Sequence, residues 1–388
     1  MNIDNAINTD DVARFARRYL PRIAYDFIDG GVDGEDGLRH NREAFQRYRL
    51  VPRYLVDVER RSQATSLFGQ TYASPFGISP MSIAGFFRPG ADLMIARAAA
   101  ALDVPYIMSS ASCSSIESAV AEAPKNTWFQ VYGTRDPKIT VDLIARATSL
   151  NVRVLILTVD TPVIGKRERN IRNGFRRPMK MTPGVILQGL RRPVWTWRYL
   201  MGHGIPLMEN WAPYAPPGAD ANAVADLYGS QTPAPSQTWD VLRLVRKHWS
   251  GPLVVKGILH HEDARMCVGL GADGLLISNH GGRQLDAAPA PIDVLPRIAD
   301  TLGDKATLLI DSGFRRGSDI AKALCLGAKA AFIGRPIMFG AAAGGEAGVR
   351  KVLDIYRQEL GLLMGQMGWT GVRSAGPSNI LDLQSPAQ

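Results

Sequence analysis

The sequence predicts an α/β protein folded as a (β/α)8 TIM barrel, and three observations carry that expectation. Eight short apolar, β-branched runs follow one another from residue 75 onward, helix-patterned stretches lie between them, and a polar residue stands at the end of almost every run. Runs that are apolar throughout, rather than alternating, belong to strands buried on both faces, as in a parallel sheet. Parallel neighbours need a crossover, and eight strand–helix units close into a barrel. A doubly wound open sheet is the alternative, but no strand–GxGxxG–helix unit is found. The glycine-rich GAAAGGEAG at 340–348 comes late in the chain and reads as a loop.

The strands read, in order, PFGISP (75–80), VPYIMSS (104–110), TWFQVY (127–132), VLILTVD (154–160), PLVVKG (252–257), GLLISN (274–279), TLLIDSG (307–313) and AAFIG (330–334). Helical stretches between them include ADLMIARAAAALD, DPKITVDLIARATSL, HEDARMCVGLGA and RGSDIAKALCLGA. Two regions stand outside this rhythm. Residues 1–74 read as an N-terminal helical extension with a small hairpin. Residues 170–238 form a long insertion after strand four, ahead of a helix around 239–249. That is too long for an ordinary βα loop, so it is expected to be functional or mobile. The 388 residues are taken as one domain, with the barrel over about 75–345.

Composition narrows the partners. The hydrophobic fraction of 46% supports a large core, and the formal net charge of +9 favours anionic partners over cationic ones without requiring nucleic acid. Cys113, Cys267 and Cys325 are scattered, with neither a disulfide framework nor zinc spacing, which fits a reducing compartment and no metal site. The polar N-terminus MNIDNAINTDDVARFARRYL lacks the apolar core of a signal peptide, so a cytoplasmic protein is expected. No apolar stretch reaches the length of a membrane span.

Barrel active sites form at the C-terminal ends of the strands. The residues there are Ser79, Pro80 and Met81; Ser109; Gln130 and Tyr132; Thr158 and Asp160, then Arg167; Lys256; Ser278 and His280, then Arg283; Asp311, Gly313 and Arg315; Gly334 and Arg335. Each alone is more often merely solvated, and their coincidence at one rim is the signal. His280 titrates near neutral pH and suits proton abstraction. A lone histidine is usually a satisfied surface group, but the glycines beside His280 and Arg283 favour a site. Asp160 is placed to orient His280. Arg283 and Arg167 suit a carboxylate, although Arg167 also sits in the basic run KRERNIRNGFRR and reads equally as a solvated arginine. Glycine turns that precede helices, at Gly313–Arg315 and Gly334–Arg335, offer backbone N–H groups to a phosphate. Lys256, buried if strand five is correct, either balances anionic charge on a cofactor, forms a Schiff base, or makes a core salt bridge.

SNHGGRQLD (278–286), DSGFRRGSDI (311–320) and YDFIDGG (25–31) resemble the FMN-dependent 2-hydroxy acid dehydrogenase family, a group that includes glycolate oxidase, lactate oxidase, flavocytochrome lactate dehydrogenases and mandelate dehydrogenase. FQVY (129–132), LTVDTPVIGKRERN (157–170) and LVVKGI (253–258) match in order, so the resemblance covers about residues 10–375. It implies FMN as cofactor, His280 as base paired with Asp160, and Arg283 and Arg167 on the substrate carboxylate. It also implies that Tyr25 and Tyr132 hydrogen-bond the substrate. Ser79, Pro80, Met81, Ser109, Gln130, Thr158, Lys256 and Ser278 would surround the flavin ring, with Asp311, Gly313, Arg315, Gly334 and Arg335 toward its ribityl phosphate. On this reading Lys256 stabilises reduced flavin and the Schiff base drops out. The family's usual Pro-Thr-Gly or Pro-Thr-Ala after strand one is Pro80-Met81-Ser82 here, which leaves the electron acceptor, quinone or O2, undetermined.

Within the insertion, residues 177–212 hold Trp195, Trp197 and Trp211 among basic residues. Rings and cations together suit a membrane interface. The stretch resembles the membrane-binding segment of the mandelate dehydrogenase branch, while a lid or an oligomer contact is the alternative. The expectation is therefore a homotetrameric dehydrogenase of a mandelate-like L-2-hydroxy acid, peripheral on the inner face of the cell membrane and reducing quinone. A soluble oxidase or an L-lactate dehydrogenase is the alternative within the family. Outside it stands a non-redox phosphate-binding barrel such as an aldolase or isomerase.

Overall fold

The computed structural model describes residues 3–175, 182–202 and 204–384. Eight parallel strands close into a barrel: β1 (Phe76–Ile78), β2 (Tyr106–Ser109), β3 (Thr127–Tyr132), β4 (Leu155–Thr158), β5 (Leu253–Ile258), β6 (Gly274–Ile277), β7 (Thr307–Ile310) and β8 (Ala330–Ile333). Each pairs with its neighbour in sequence, and β8 returns to β1 through Ala331↔Phe76 and Ile333↔Ile78. The strands are buried on both sides, which is why their sequences do not alternate.

Period-two geometry then sorts each strand into inside and outside. Ile107, Trp128, Ile156, Val254, Leu276, Leu309 and Phe332 fill the lumen, while Phe129, Val131, Leu155 and Leu157 face the surrounding helices. The hairpin Thr65–Leu67/Gln70–Tyr72 plugs the N-terminal end. Its Phe68 meets Trp128 edge-on at 5.7 Å, and the Trp128 indole N–H donates to Tyr72 Oη at 3.0 Å. An aromatic cluster therefore closes the N-terminal end of the lumen.

The N-terminal extension supplies helices Thr9–Tyr19, Arg22–Asp29 and Asp36–Glu43, and Tyr48–Leu50 pairs antiparallel with Ile380–Asp382. The GAAAGGEAG stretch, expected as a loop, lies within the helix Arg335–Met367, which is kinked where Gly345 adopts φ 62°, ψ −141°. Alanine favours helix, and the glycines serve close packing: a Cβ on Gly340 would stand 2.5 Å from the Gly348 carbonyl oxygen across the bend.

The insertion folds as helices Glu168–Asn173, Pro183–Leu190, Pro193–Met201 and Ala221–Gln231. Residues 177–181 and 203 of the basic, tryptophan-bearing stretch lie outside the described residues. Its three tryptophans do not share one role. Trp195 stacks on Tyr199 at 4.9 Å and Trp211 meets Tyr228 at 4.9 Å, both buried, whereas Trp197 is 66% exposed. The stretch is tied to the N-terminal helices, where the Ile23 N–H donates to Gln188 and Arg192 donates to the Leu20 carbonyl, and to the barrel, where Asn210 accepts from the Ile116 N–H. No helix among the described residues is long and apolar enough to cross a membrane.

Candidate active site

The period that packs the lumen also builds the site. One inward step beyond Ile107, Trp128, Ile156, Val254, Leu276 and Leu309 stand Ser109, Gln130, Thr158, Lys256, Ser278 and Asp311. A polar ring thus crowns the apolar layers. Above it opens a cavity of about 400 Å³, lined among others by Ser79, Pro80, Met81, Tyr132, Thr158, Arg167, Lys256, His280, Arg283, Asp311, Gly313, Arg315, Gly334 and Arg335.

Lys256, 3% exposed, donates to Ser278 Oγ at 2.8 Å and lies 3.5 Å from Asp311 and 3.9 Å from Asp160. Asp311 accepts from Ser79 Oγ at 3.2 Å, and Ser109 donates to Gln130 Oε1 at 3.0 Å. His280 Nδ1 meets Asp160 Oδ1 at 2.9 Å, which leaves Nε2 for the cavity. Burial disfavours the imidazolium and Asp160 opposes this, but Lys256 and Arg167 add to it, so the His280 pKa falls below the usual value. Burial pushes Asp160 upward, yet the charges of His280 and Lys256 outweigh it and keep the carboxyl below its ordinary range. A neutral imidazole braced by a carboxylate can accept a proton at neutral pH.

Four arginines converge on the cavity. Burial lowers the pKa of each, to about 9 for Arg335, where neighbouring Arg315 adds to the effect. Among the described residues no carboxylate lies within ion-pair distance of Arg167, Arg283, Arg315 or Arg335, whose charges are met by carbonyls and rings. Half-buried cations without counter-ions at one cavity call for anionic ligands.

Two positions need glycine. Gly313 has φ +88°, and a Cβ there would stand 2.0 Å from the Asn41 carbonyl oxygen; Gly282 has φ +70°, and a Cβ would stand 2.7 Å from the Leu38 N. Helix Asp36–Glu43 therefore packs directly on the loops after β6 and β7, and Asn41 and Asn279 exchange side-chain hydrogen bonds of 2.9 and 2.7 Å.

Tyr25 is not among the residues that line the cavity. Its ring stacks on Phe339 at 5.5 Å, and the residues of the same helix that line the cavity are Phe27 and Ile28. Phe27 and Gln284 were not singled out in the sequence. Phe27 stands within the YDFIDGG motif, and an apolar residue there carries no chemical signal of its own. Gln284 accepts from Arg167 at 3.5 Å and donates to the Val163 carbonyl at 3.1 Å.

The sequence pattern of FMN-dependent dehydrogenases matches residues 16–382. The chain belongs to the FMN-dependent dehydrogenase family. It is 38% identical to the (S)-mandelate dehydrogenase of Pseudomonas putida over 373 residues, 96% of this chain and 93% of that one. It is also 38% identical to an L-lactate oxidase of Nostoc sp. over 371 residues, 94% of this chain and 95% of that one. The structure of the monotopic membrane protein (S)-mandelate dehydrogenase superposes with a TM-score of 0.93 at 38% identity, covering 97% of this chain and 100% of that one. The family uses FMN to oxidise α-hydroxy acids, and this chain is an FMN-dependent α-hydroxy acid dehydrogenase or oxidase. That membership sets aside the aldolase and isomerase alternatives. The site fits the cofactor on its own terms: Gln130 Nε2 and Thr158 Oγ1 are buried without partners in the polar ring, beside Lys256, where the heteroatoms of a flavin ring would satisfy them.

Proposed function

We propose that the enzyme oxidises an aromatic, mandelate-like (S)-2-hydroxy acid and delivers the electrons to a membrane quinone. The observation that carries the anionic part is the cavity's set of half-buried arginines without carboxylate partners among the described residues. Arg283 and Arg167 would hold the substrate carboxylate, Tyr132 would hydrogen-bond the substrate, and Arg315 and Arg335 with Gly313 and Gly334 would hold the FMN phosphate. Ser79, Pro80, Met81, Ser109, Gln130, Thr158, Lys256, Ser278 and Asp311 would surround the ring and ribityl chain. FMN supplies the two-electron acceptor. His280 Nε2 takes the proton that leaves the substrate, Asp160 stabilises the imidazolium that forms, and Lys256 offsets negative charge beside it.

The aromatic preference is supported by the outer wall, where Phe86, Phe175, Ile205 and Met208 give apolar area far beyond what a methyl side chain uses. Attachment to the cytoplasmic face of the membrane is supported by exposed Leu190, Val194, Trp197 and Leu200 on the insertion, an apolar patch of the kind that marks an interaction surface. Four copies per assembly are part of the proposal. O2 as acceptor is the second reading, because the L-lactate oxidase is as similar as the mandelate dehydrogenase.

The test is flavin bleaching by lactate, glycolate, mandelate and 4-hydroxymandelate, followed by reoxidation with a quinone analogue or with air. Mandelate and its 4-hydroxy analogue reduce the flavin fastest, and quinone outpaces oxygen. Faster reduction by lactate overturns the aromatic reading, and oxygen as the faster acceptor overturns the quinone reading.

A further inference from the structure

Away from the catalytic cavity, two guanidinium groups meet over one ring. Arg88 lies 5.0 Å and Arg198 5.8 Å from the centroid of Tyr19, and Arg198 also donates to Tyr19 Oη at 3.3 Å. Arg88 is fixed there, because its Nε and Nη2 donate to the carbonyls of Ala341, Ala342 and Ala343 just ahead of the Gly345 kink. Among the described residues neither arginine has a carboxylate within ion-pair distance. Burial lowers the Arg88 pKa; Tyr19 opposes this and the charge of Arg198 adds to it. Two like charges are thus held together with no counter-ion, an arrangement that a bound anion relieves.

The two arginines, with Pro89, Met94, Trp197 and Met201, line a groove of about 360 Å³ that shares no residue with the catalytic cavity. Trp197 and Met201 in its wall are exposed, as are Val194 and Leu200 on the same helix and Ile186 and Leu190 on the helix before it. A free inorganic anion gains nothing from Trp197 and Met201. A phosphodiester with an attached acyl chain uses both halves of the groove.

We propose that this groove is a binding site for an anionic membrane phospholipid, its phosphate held between Arg88 and Arg198 and its acyl chain laid along Trp197 and Met201. The proposal rests on the reading of the insertion as the membrane-facing surface, and it adds a discrete headgroup site to what would otherwise be diffuse attraction. Arg198 can turn its fork to the phosphate oxygens, while Arg88, whose Nε and Nη2 are held by carbonyls, contributes Nη1 and its charge.

The experiment is co-sedimentation of FMN-loaded enzyme with vesicles of phosphatidylglycerol and phosphatidylcholine, and with phosphatidylcholine alone. Wild-type enzyme pellets with the acidic vesicles. Arg198→Gln weakens that binding about tenfold or more, as loss of a charge-assisted hydrogen bond does. Arg191→Gln removes an equally exposed cation from the same surface but outside the groove, and weakens binding at most about fivefold. Arg88→Gln combined with Arg198→Gln loses more than either alone. Flavin reduction by substrate stays at the wild-type rate in every variant, which separates lost lipid binding from lost fold.

Equal losses for Arg191→Gln and Arg198→Gln overturn the site and leave only diffuse charge. Inorganic phosphate that binds wild-type enzyme but not Arg198→Gln by calorimetry, while the same substitution leaves vesicle co-sedimentation unchanged, assigns the groove to free phosphate and overturns the lipid. Wild-type enzyme that stays in the supernatant with both vesicles overturns the membrane reading and the site with it.

Discussion

Arg283 is seated on Phe27: its guanidinium lies 5.0 Å from the ring centroid and its Nη1 donates to the Phe27 carbonyl at 2.8 Å. The same Nη1 donates to the Gly30 carbonyl at 2.8 Å, and that oxygen also accepts from Arg335 Nη2 at 2.8 Å. The C-terminal carbonyls of helix Arg22–Asp29, the negative end of its dipole, therefore anchor arginines on both sides of the cavity. The N-terminal extension is part of the site and not an appendage to it.

Phe27→Ala keeps the carbonyl anchors but removes the ring beneath Arg283. A desolvated cation–π contact is worth up to about 2 kcal/mol. The expected result is a fall of about tenfold in kcat/KM for the hydroxy acid, taken mostly in KM, with flavin content unchanged. Stopped-flow flavin reduction against substrate concentration measures it. An unchanged KM would show that Arg283 does not depend on the ring.

His280→Ala should bind FMN normally and lose flavin reduction by roughly 10²–10⁴-fold or more. With the His280 pKa held below its ordinary 6.5, the wild-type base is neutral across the neutral range, and kcat/KM falls only when the pH drops below about 6.5. Asp160 raises the His280 pKa, so Asp160→Asn moves that acidic limb to still lower pH while it slows the reaction. An acidic limb that moves upward in Asp160→Asn contradicts the pairing.

Gly313→Ala places a methyl 2.0 Å from the Asn41 carbonyl oxygen at a φ that side chains rarely adopt. The loop after β7 must shift away from helix Asp36–Glu43, and it carries residues assigned to the cofactor phosphate. The variant is expected to purify with little FMN, read from the visible flavin absorbance per chain. Full flavin content would mean the loop relaxes freely.

Asp92 is fully buried in helix Ala91–Leu102 and accepts from the Cys113 N–H at 3.1 Å, and burial raises its pKa from 3.8 to about 6. A carboxyl raised in the folded state contributes its full stability below the unfolded value of 3.8, and that contribution is lost as pH rises through about 6. The difference is on the order of 3 kcal/mol at neutral pH. In thermal melts the wild-type Tm, taken relative to that of Asp92→Asn at the same pH, should be higher at pH 5 than at pH 8. A Tm difference between wild type and Asp92→Asn that does not change from pH 5 to pH 8 would contradict the buried neutral acid.

By itself the sequence determined the barrel and its polar crown. Strand periodicity is local: once Trp128, Ile156 and Leu276 are inward, Gln130, Thr158 and Ser278 must be inward one step later, whatever else the chain does. Glycine and histidine runs such as SNHGGRQLD carry chemistry in residue type alone. The tertiary structure decided what depends on which face meets which neighbour. The sequence points to Tyr25 and is silent on Phe27, whereas packing stacks the tyrosine on Phe339 and seats the phenylalanine under Arg283. Trp195, Trp197 and Trp211 look alike in composition, yet two are spent on Tyr199 and Tyr228 and one is left exposed. Arg88 and Arg198 lie far apart in the chain and become a pair only because both settle on the ring of Tyr19. Such encounters follow from the docking of helices and loops at long range, which no local pattern encodes.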